Sequence, residues 1–189
     1  MPRLRNKDKI ILDLCGGTGT WSKPYKDAGY DVRLVTLPRE DVIYYLPPDN
    51  VYGILAAPPC TMFSFARTAA KTPRDFFQGM DVVRACLDII WACRAQARLQ
   101  FWALENPRGY LWQFLGRPAY QFTPSEFGHA TNKKTCLWGY FNPPRKRRKK
   151  TRVPRDQWKM SKYLSRHRDA KTRSITPAGF ARAFFQANP

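Results

Sequence analysis

No apolar run in this 189-residue chain approaches the roughly 20 residues that a membrane-spanning helix needs. Residues 1–9 carry no apolar stretch either, so a secretory leader is not expected. Histidine is scarce: His129 and His167 stand far apart and make no metal-ligand spacing. The five cysteines (15, 60, 86, 93 and 136) are an odd number without a C-x-x-C pair. A disulfide framework and a structural zinc site are therefore not expected, and a reducing, cytoplasmic compartment fits. Acidic residues are few, 14 Asp and Glu against 33 Lys and Arg, for a formal charge of +19. That surplus calls for a polyanionic partner, with nucleic acid ahead of an acidic membrane surface.

What is present is enough for one compact α/β domain, since 43% of the residues are hydrophobic. Lys9 to Leu14 reads as a short buried strand ending at Cys15-Gly16-Gly17-Thr18-Gly19-Thr20. A helix is expected from about Trp21 to Ala28, stopped by Gly29. Asp31 to Leu37 is the next strand, followed by a brief apolar segment, Val42 to Tyr45. Tyr52 to Ala56 is another buried strand. Thr72 reads as a helix N-cap with Pro73 in the first position. Phe76, Met80, Val83, Leu87 and Ile90 then mark one apolar face as far as about Arg98, with Cys86 and Cys93 as core. Phe101 to Leu104 is a strand stopped by Glu105-Asn106-Pro107. Tyr120 to Thr123 and Thr135 to Trp138 are two more, and Pro177 to Ala187 is a terminal helix.

Strands alternating with helices imply a doubly wound, mostly parallel sheet, and in such sheets ligands sit beyond the carboxyl ends of the strands. The unusual residues fall there: the glycine turn, Asp41, Cys60 and Glu105. Of these Cys60 is the most pointed. Two prolines, Pro58 and Pro59, fix the backbone as it leaves the strand, and the thiol comes next. A thiol so presented suits an attacking group; a small buried hydrophobe is the other reading of the same residue. The glycine turn is not a G-x-G-x-x-G dinucleotide fingerprint, because no third glycine follows Gly19. A cytosine deaminase is set aside, since no second cysteine of a C-x-x-C pair and no H-x-E set accompany Pro59-Cys60.

Asp13-Leu14-Cys15-Gly16-Gly17-Thr18-Gly19 resembles the S-adenosylmethionine loop of class I methyltransferases, which have a Rossmann-like fold. With Pro58-Pro59-Cys60-Thr61-Met62-Phe63-Ser64 and Glu105-Asn106-Pro107, the chain resembles the DNA cytosine-5 methyltransferases. The likeness runs from Ile10 to about Gly139. It resumes after Arg173 at Ser174-Ile175-Thr176-Pro177-Ala178-Gly179-Phe180, similar to the terminal helix of compact, phage-type members. It implies that Cys60 is the nucleophile that adds to cytosine carbon 6, that Glu105 bonds ring nitrogen 3, and that Asn106 orients the loop. Pro59 belongs with this catalytic set. Lys133 or Lys134 would contact the cytosine carbonyl or a phosphate. The cofactor set implied is Asp13, Leu14, Cys15, Gly16, Gly17, Thr18, Gly19, Asp41 and Pro58, with Asp41 at the adenine amino group.

Two departures stand out. The acid that usually ends the second strand in that family is missing from Val35-Thr36-Leu37-Pro38, with Glu40 as the nearest substitute. A target-recognition domain is missing too. In its place the chain divides into a catalytic core (1–142), a basic segment (143–173) and a C-terminal helix (174–189). From Arg145 to Arg173 there are fourteen Lys or Arg against Asp156 and Asp169. This density implies salt-sensitive, largely sequence-independent phosphate contacts, here from Arg145, Lys146, Arg147, Arg148, Lys149 and Lys150 together with Lys133, Lys134 and Ser64. Trp158 and Tyr163 could stack on bases, with packing onto the body as their other reading, and a flexible solubilising or localisation segment is the other reading of the run. RNA methylation and a non-catalytic nucleic-acid-binding protein of methyltransferase fold are the alternatives. No metal is expected.

Overall fold

In the computed structural model, residues 5–67, 70–96, 98–153 and 175–189 are described. The order of elements is β1 (Ile10–Leu14), α1 (Lys23–Asp27), β2 (Asp31–Val35), β3 (Val51–Ala56), α2 (Phe76–Ala95) and β4 (Phe101–Pro107). It continues with α3 (Leu111–Leu115), β5 (Tyr120–Phe122), β6 (Thr135–Tyr140) and α4 (Ala178–Ala187). The six strands form one sheet in the order β2-β1-β3-β4-β6-β5. β1 pairs in parallel with β2 and β3, and β3 in parallel with β4. β6 runs antiparallel to both β4 and β5. The sheet is thus mixed rather than the doubly wound, mostly parallel sheet expected, because β6 inserts antiparallel between β4 and β5.

Both faces are covered. Side chains alternate along each strand, so Leu12, Leu14, Ile54, Ala56 and Leu104 share one buried cluster with Val83, Cys86, Ile90 and Cys93 of α2. Their neighbours Ile11, Leu55, Phe101, Ala103 and Leu137 join the other, with Trp21, Tyr25, Phe180 and Phe184. Burial on both sides is why these strands read as continuous apolar runs. On α4, Phe180, Ala181 and Phe184 are the buried face, and the Tyr25 hydroxyl donates to the Asn188 carbonyl at 2.8 Å. That bond ties the last turn to α1.

Three local expectations need correction. α2 begins at Phe76, not after Thr72, because Asp75 supplies the cap: its carboxylate accepts the Gln78 N–H at 3.0 Å. β4 does not stop at Leu104 but runs through Pro107, because β6 pairs with Glu105, Asn106 and Pro107. Partner strands outweigh local composition there. Val42 to Tyr45 is a turn, in which the Asp41 carboxylate accepts the Ile43 N–H at 3.0 Å. Residues 154–174, which take in most of the basic segment with Trp158 and Tyr163 and also Ser174, lie outside the described residues.

Candidate active site

Register places the site. Leu14 aligns with Ala56, and Ala56 with Leu104, so β1, β3 and β4 reach the same sheet edge together. The residues that follow those positions, Cys15 to Gly17, Ala57 to Cys60 and Glu105, therefore converge. The Ala57 N–H donates to the Leu14 carbonyl and the Cys15 N–H to the Val35 carbonyl, at 2.9 and 2.8 Å. These bonds hold the loop mouths together where the ladders end. The resulting cleft opens to solvent. Asp13, Gly16, Gly17, Pro58, Cys60 and Glu105 all line it.

Asp13 is fully buried in the middle of the sheet edge, and its carboxylate accepts the Ser22 hydroxyl. Burial pushes its pKa from 3.8 to about 6, against the lowering effect of the Ser22 bonds. Among the described residues its other oxygen, Oδ1, has no hydrogen-bond partner, and neither has the buried Trp21 Nε1. Gly16 lies directly on this carboxylate: a Cβ there would collide with Asp13 Cγ and both of its oxygens. Only glycine fits, so a bound molecule is met here by bare backbone. Cys15, at φ 57°, turns the chain away from the strand. Its thiol bonds the buried Cys86 thiol, which holds Cys15 below and Cys86 above the ordinary cysteine range. None of the five cysteines is in a disulfide.

The Pro58-Pro59-Cys60 corner is held from behind. Asn106, fully buried on β4, donates from Nδ2 to the Pro58 carbonyl at 3.0 Å. The Cys60 carbonyl accepts two N–H groups, from Phe63 at 3.0 Å and Ser64 at 2.8 Å, so the loop closes into one tight turn behind the thiol. Cys60 itself is half-buried. Glu105 is the neighbour of Asn106 on the strand and so projects to the other face of the sheet. Burial raises its carboxyl above the usual range, and Lys133 across the cleft opposes that rise. Glu105, Lys133 and Thr176 also line a second cleft, whose walls include His129 and Thr131.

The structure sorts the expected residues. Asp13, Cys15, Gly16, Gly17, Pro58, Pro59, Cys60, Glu105 and Lys133 share the cleft. Leu14 points its side chain into the α2 core, and Thr18 and Gly19 are not among the lining residues. Asp41 stands near Cys15, close enough to raise its thiol electrostatically, yet its carboxylate caps its own turn and does not line the cleft. The lysine pair divides: Lys133 lines the cleft, whereas Lys134 is exposed and its carbonyl accepts the Arg108 N–H. Ser64 bridges to Gly109, and its hydroxyl accepts the Ala66 N–H. Trp21 and Thr176 line the cleft although no sequence motif marks them for it. Trp21 reads as helix, and Thr176 is distant in sequence from every other lining residue.

The first part of the basic segment is strapped to the antiparallel half. Glu126 pairs with Lys146 at 3.1 Å and Lys150 at 3.2 Å. The Arg147 and Thr151 N–H groups donate to the Glu126 and Ser125 carbonyls, and the Arg147 guanidinium lies beside Gly128. Residues Arg145 to Lys150 all remain exposed. Among the described residues no group of acids, histidines and cysteines could hold a metal ion, and no helix is long and apolar enough to cross a membrane. No protein-family model matches the sequence, and no curated protein matches it either.

Proposed function

We propose that this chain is an S-adenosylmethionine-dependent methyltransferase that modifies carbon 5 of cytosine in DNA. One observation carries the reading: Cys60, Glu105 and the glycine turn over Asp13 line the same cleft. Each of these has a separate part in that chemistry, and no simpler purpose brings all three together.

The residues present suit the cofactor. Asp13 Oδ1 and Trp21 Nε1 are buried polar atoms in need of partners, and the Gly16–Gly17 backbone offers the close approach that a nucleoside-sized molecule requires. Asp13, Gly16, Gly17 and Pro58 would hold it, and when bound it supplies an electrophilic methyl group on a sulfonium. The rest falls to the chain. Carbon 5 of cytosine is a weak nucleophile. Cys60, as the thiolate, adds to carbon 6, and the electron pair shifts so that carbon 5 becomes enamine-like and able to take the methyl group. Glu105 holds a proton at ring nitrogen 3 and offsets the charge that grows on addition; burial, which favours its neutral form, serves that task. Asn106 keeps the Pro58 carbonyl and thus the corner fixed. After transfer a base removes the carbon 5 proton, the double bond re-forms, and the Cys60 sulfur leaves as thiolate. A paired base cannot reach Cys60, so the cytosine is extruded or already unpaired.

The test is incubation with labelled S-adenosylmethionine and unmodified DNA, followed by nucleoside analysis. We expect 5-methylcytosine from the wild type and none from Cys60→Ala, with cofactor affinity unchanged within about twofold. Label on RNA alone redirects the substrate. DNA binding without any transfer leaves a binding module. Turnover retained by Cys60→Ala ends the proposal.

A further inference from the structure

We infer that Arg74 is the positioning residue of the Cys60 turn, a role that rests on reading Cys60 as the nucleophile. Arg74 lies just before the cap of α2, beyond the loop that follows the thiol, and folds its guanidinium back onto that loop. Nη1 donates to the Met62 carbonyl at 2.8 Å and Nη2 to the Ser64 carbonyl at 2.9 Å. The same group lies 5.0 Å from the centre of the Tyr110 ring. Tyr110 in turn donates its backbone N–H to the Phe63 carbonyl at 2.8 Å. Three successive carbonyls, 62 to 64, are thus engaged from outside the loop, two of them by one side chain. The N–H groups of Phe63 and Ser64 meanwhile close on the Cys60 carbonyl.

The consequence is directional. Asn106 holds the chain two residues before Cys60, and Arg74 holds it two and four residues after. A peptide clamped on both sides leaves the thiol only its own side-chain rotation. Arginine is the residue for this, since its planar fork serves two acceptors at once and its charge strengthens both bonds; the point charge of lysine cannot span them in the same way. Gly109 completes the arrangement. A Cβ there would collide with the Phe63 carbonyl oxygen, so the segment after β4 can approach the loop only as glycine.

Arg74→Ala and Arg74→Lys are compared with wild type in three measurements. The first is the rate at which iodoacetamide alkylates Cys60, followed by peptide mass spectrometry from pH 6 to 10. The second is methyl transfer to DNA, and the third is cofactor affinity. Loss of two charge-assisted hydrogen bonds implies a change of at least about tenfold in Cys60 alkylation, with an altered pH profile. Misplacing the nucleophile by about 1 Å implies a fall in kcat on the order of 100-fold, with cofactor affinity within about twofold. Arg74→Lys falls between the two, and it decides the matter if Arg74→Ala does not fold. Unchanged Cys60 alkylation in folded variants overturns the role, as does a loss of transfer matched by an equal loss of cofactor affinity. If the wild type transfers no methyl group, the proposed function fails, and the alkylation rates alone still decide whether Arg74 directs the thiol.

Discussion

The two halves of the sheet hold their polar residues by different means. In the parallel half, Asp13 and Asn106 are fully buried and joined to the loops by short hydrogen bonds, and the charges that matter are shielded from water. In the antiparallel half, one carboxylate, Glu126, gathers Lys146 and Lys150, whose own side chains remain 38% and 66% exposed. Buried groups of the first kind fix geometry and shift pKa values. Ion pairs of the second kind, with a largely buried carboxylate but lysine ends open to water, are weaker and screened by salt. Under the proposed function, one half would set the reacting groups and the other would present positive charge to DNA.

The largest effect expected on stability comes from the buried half. Folding raises the Asp13 pKa from 3.8 to about 6, so between those values the folded protein keeps a proton that the unfolded chain has lost. Stability from this group is full below about pH 4 and is lost as pH rises through about 6. A shift of that size corresponds to about 3 kcal/mol. Asp13→Asn removes the titration, and urea unfolding at intervals from pH 4 to 7 is expected to show a flatter profile by about that amount. An identical slope in the variant would mean that the carboxylate is not isolated as the structure has it, and the contrast between the halves would lose its sharper side.

Much of this half is legible in the sequence because strand ends are. The apolar runs before Cys15 and Ala57, and the one before Glu105, mark the same sheet edge, so the residue pattern alone brings the glycine turn, Cys60 and Glu105 together. That Asn106 holds the loop, here at the Pro58 carbonyl, is implied by the resemblance and not by the strand pattern. What escapes the pattern has a common cause. Arg74 acts on main-chain carbonyls, which no residue type marks. The extension of β4 through Pro107 depends on β6, a partner some thirty residues later. The division of the lysine pair depends on which side of the β6 entry faces the cleft, a matter of register that two adjacent lysines do not reveal. Asp41 does stand near the site, but its carboxylate is taken by its own turn.

The exposed half can be tested by dividing its cations. Arg145, Arg148 and Lys149 have no ion pair among the described residues, whereas Lys146 and Lys150 share Glu126. Replacing Arg145, Arg148 and Lys149 by Ala is expected to lower the salt dependence of DNA binding by about two to three in log–log slope, at roughly 0.9 for each phosphate that goes unneutralised. Replacing Lys146 and Lys150 is expected to lower it by about one or less, because Glu126 already offsets part of their charge. Fluorescence titration at several salt concentrations reads both slopes. Equal losses would show that pairing with Glu126 does not withhold those lysines.

The smallest effect concerns Glu126 itself. Burial raises its pKa, but the Thr123 N–H and the two lysines outweigh that and leave it below the ordinary glutamate value. Its contribution is therefore present above about pH 4.5 and lost as pH falls through the depressed value. Glu126 also closes a capping box, accepting the Thr123 N–H at 2.8 Å at the start of the 3₁₀ turn Pro124–Phe127. Glu126→Gln keeps an acceptor for that bond while removing the charge, so it isolates the ion pairs. With both lysines solvent-exposed, a loss of about 1 kcal/mol or less is expected at pH 7 and low salt, shrinking toward zero in about 1 M salt. Urea unfolding at the two salt concentrations checks it. A larger loss that persists in high salt would mean that the strap is held as firmly as the buried half, and the contrast between the two would disappear.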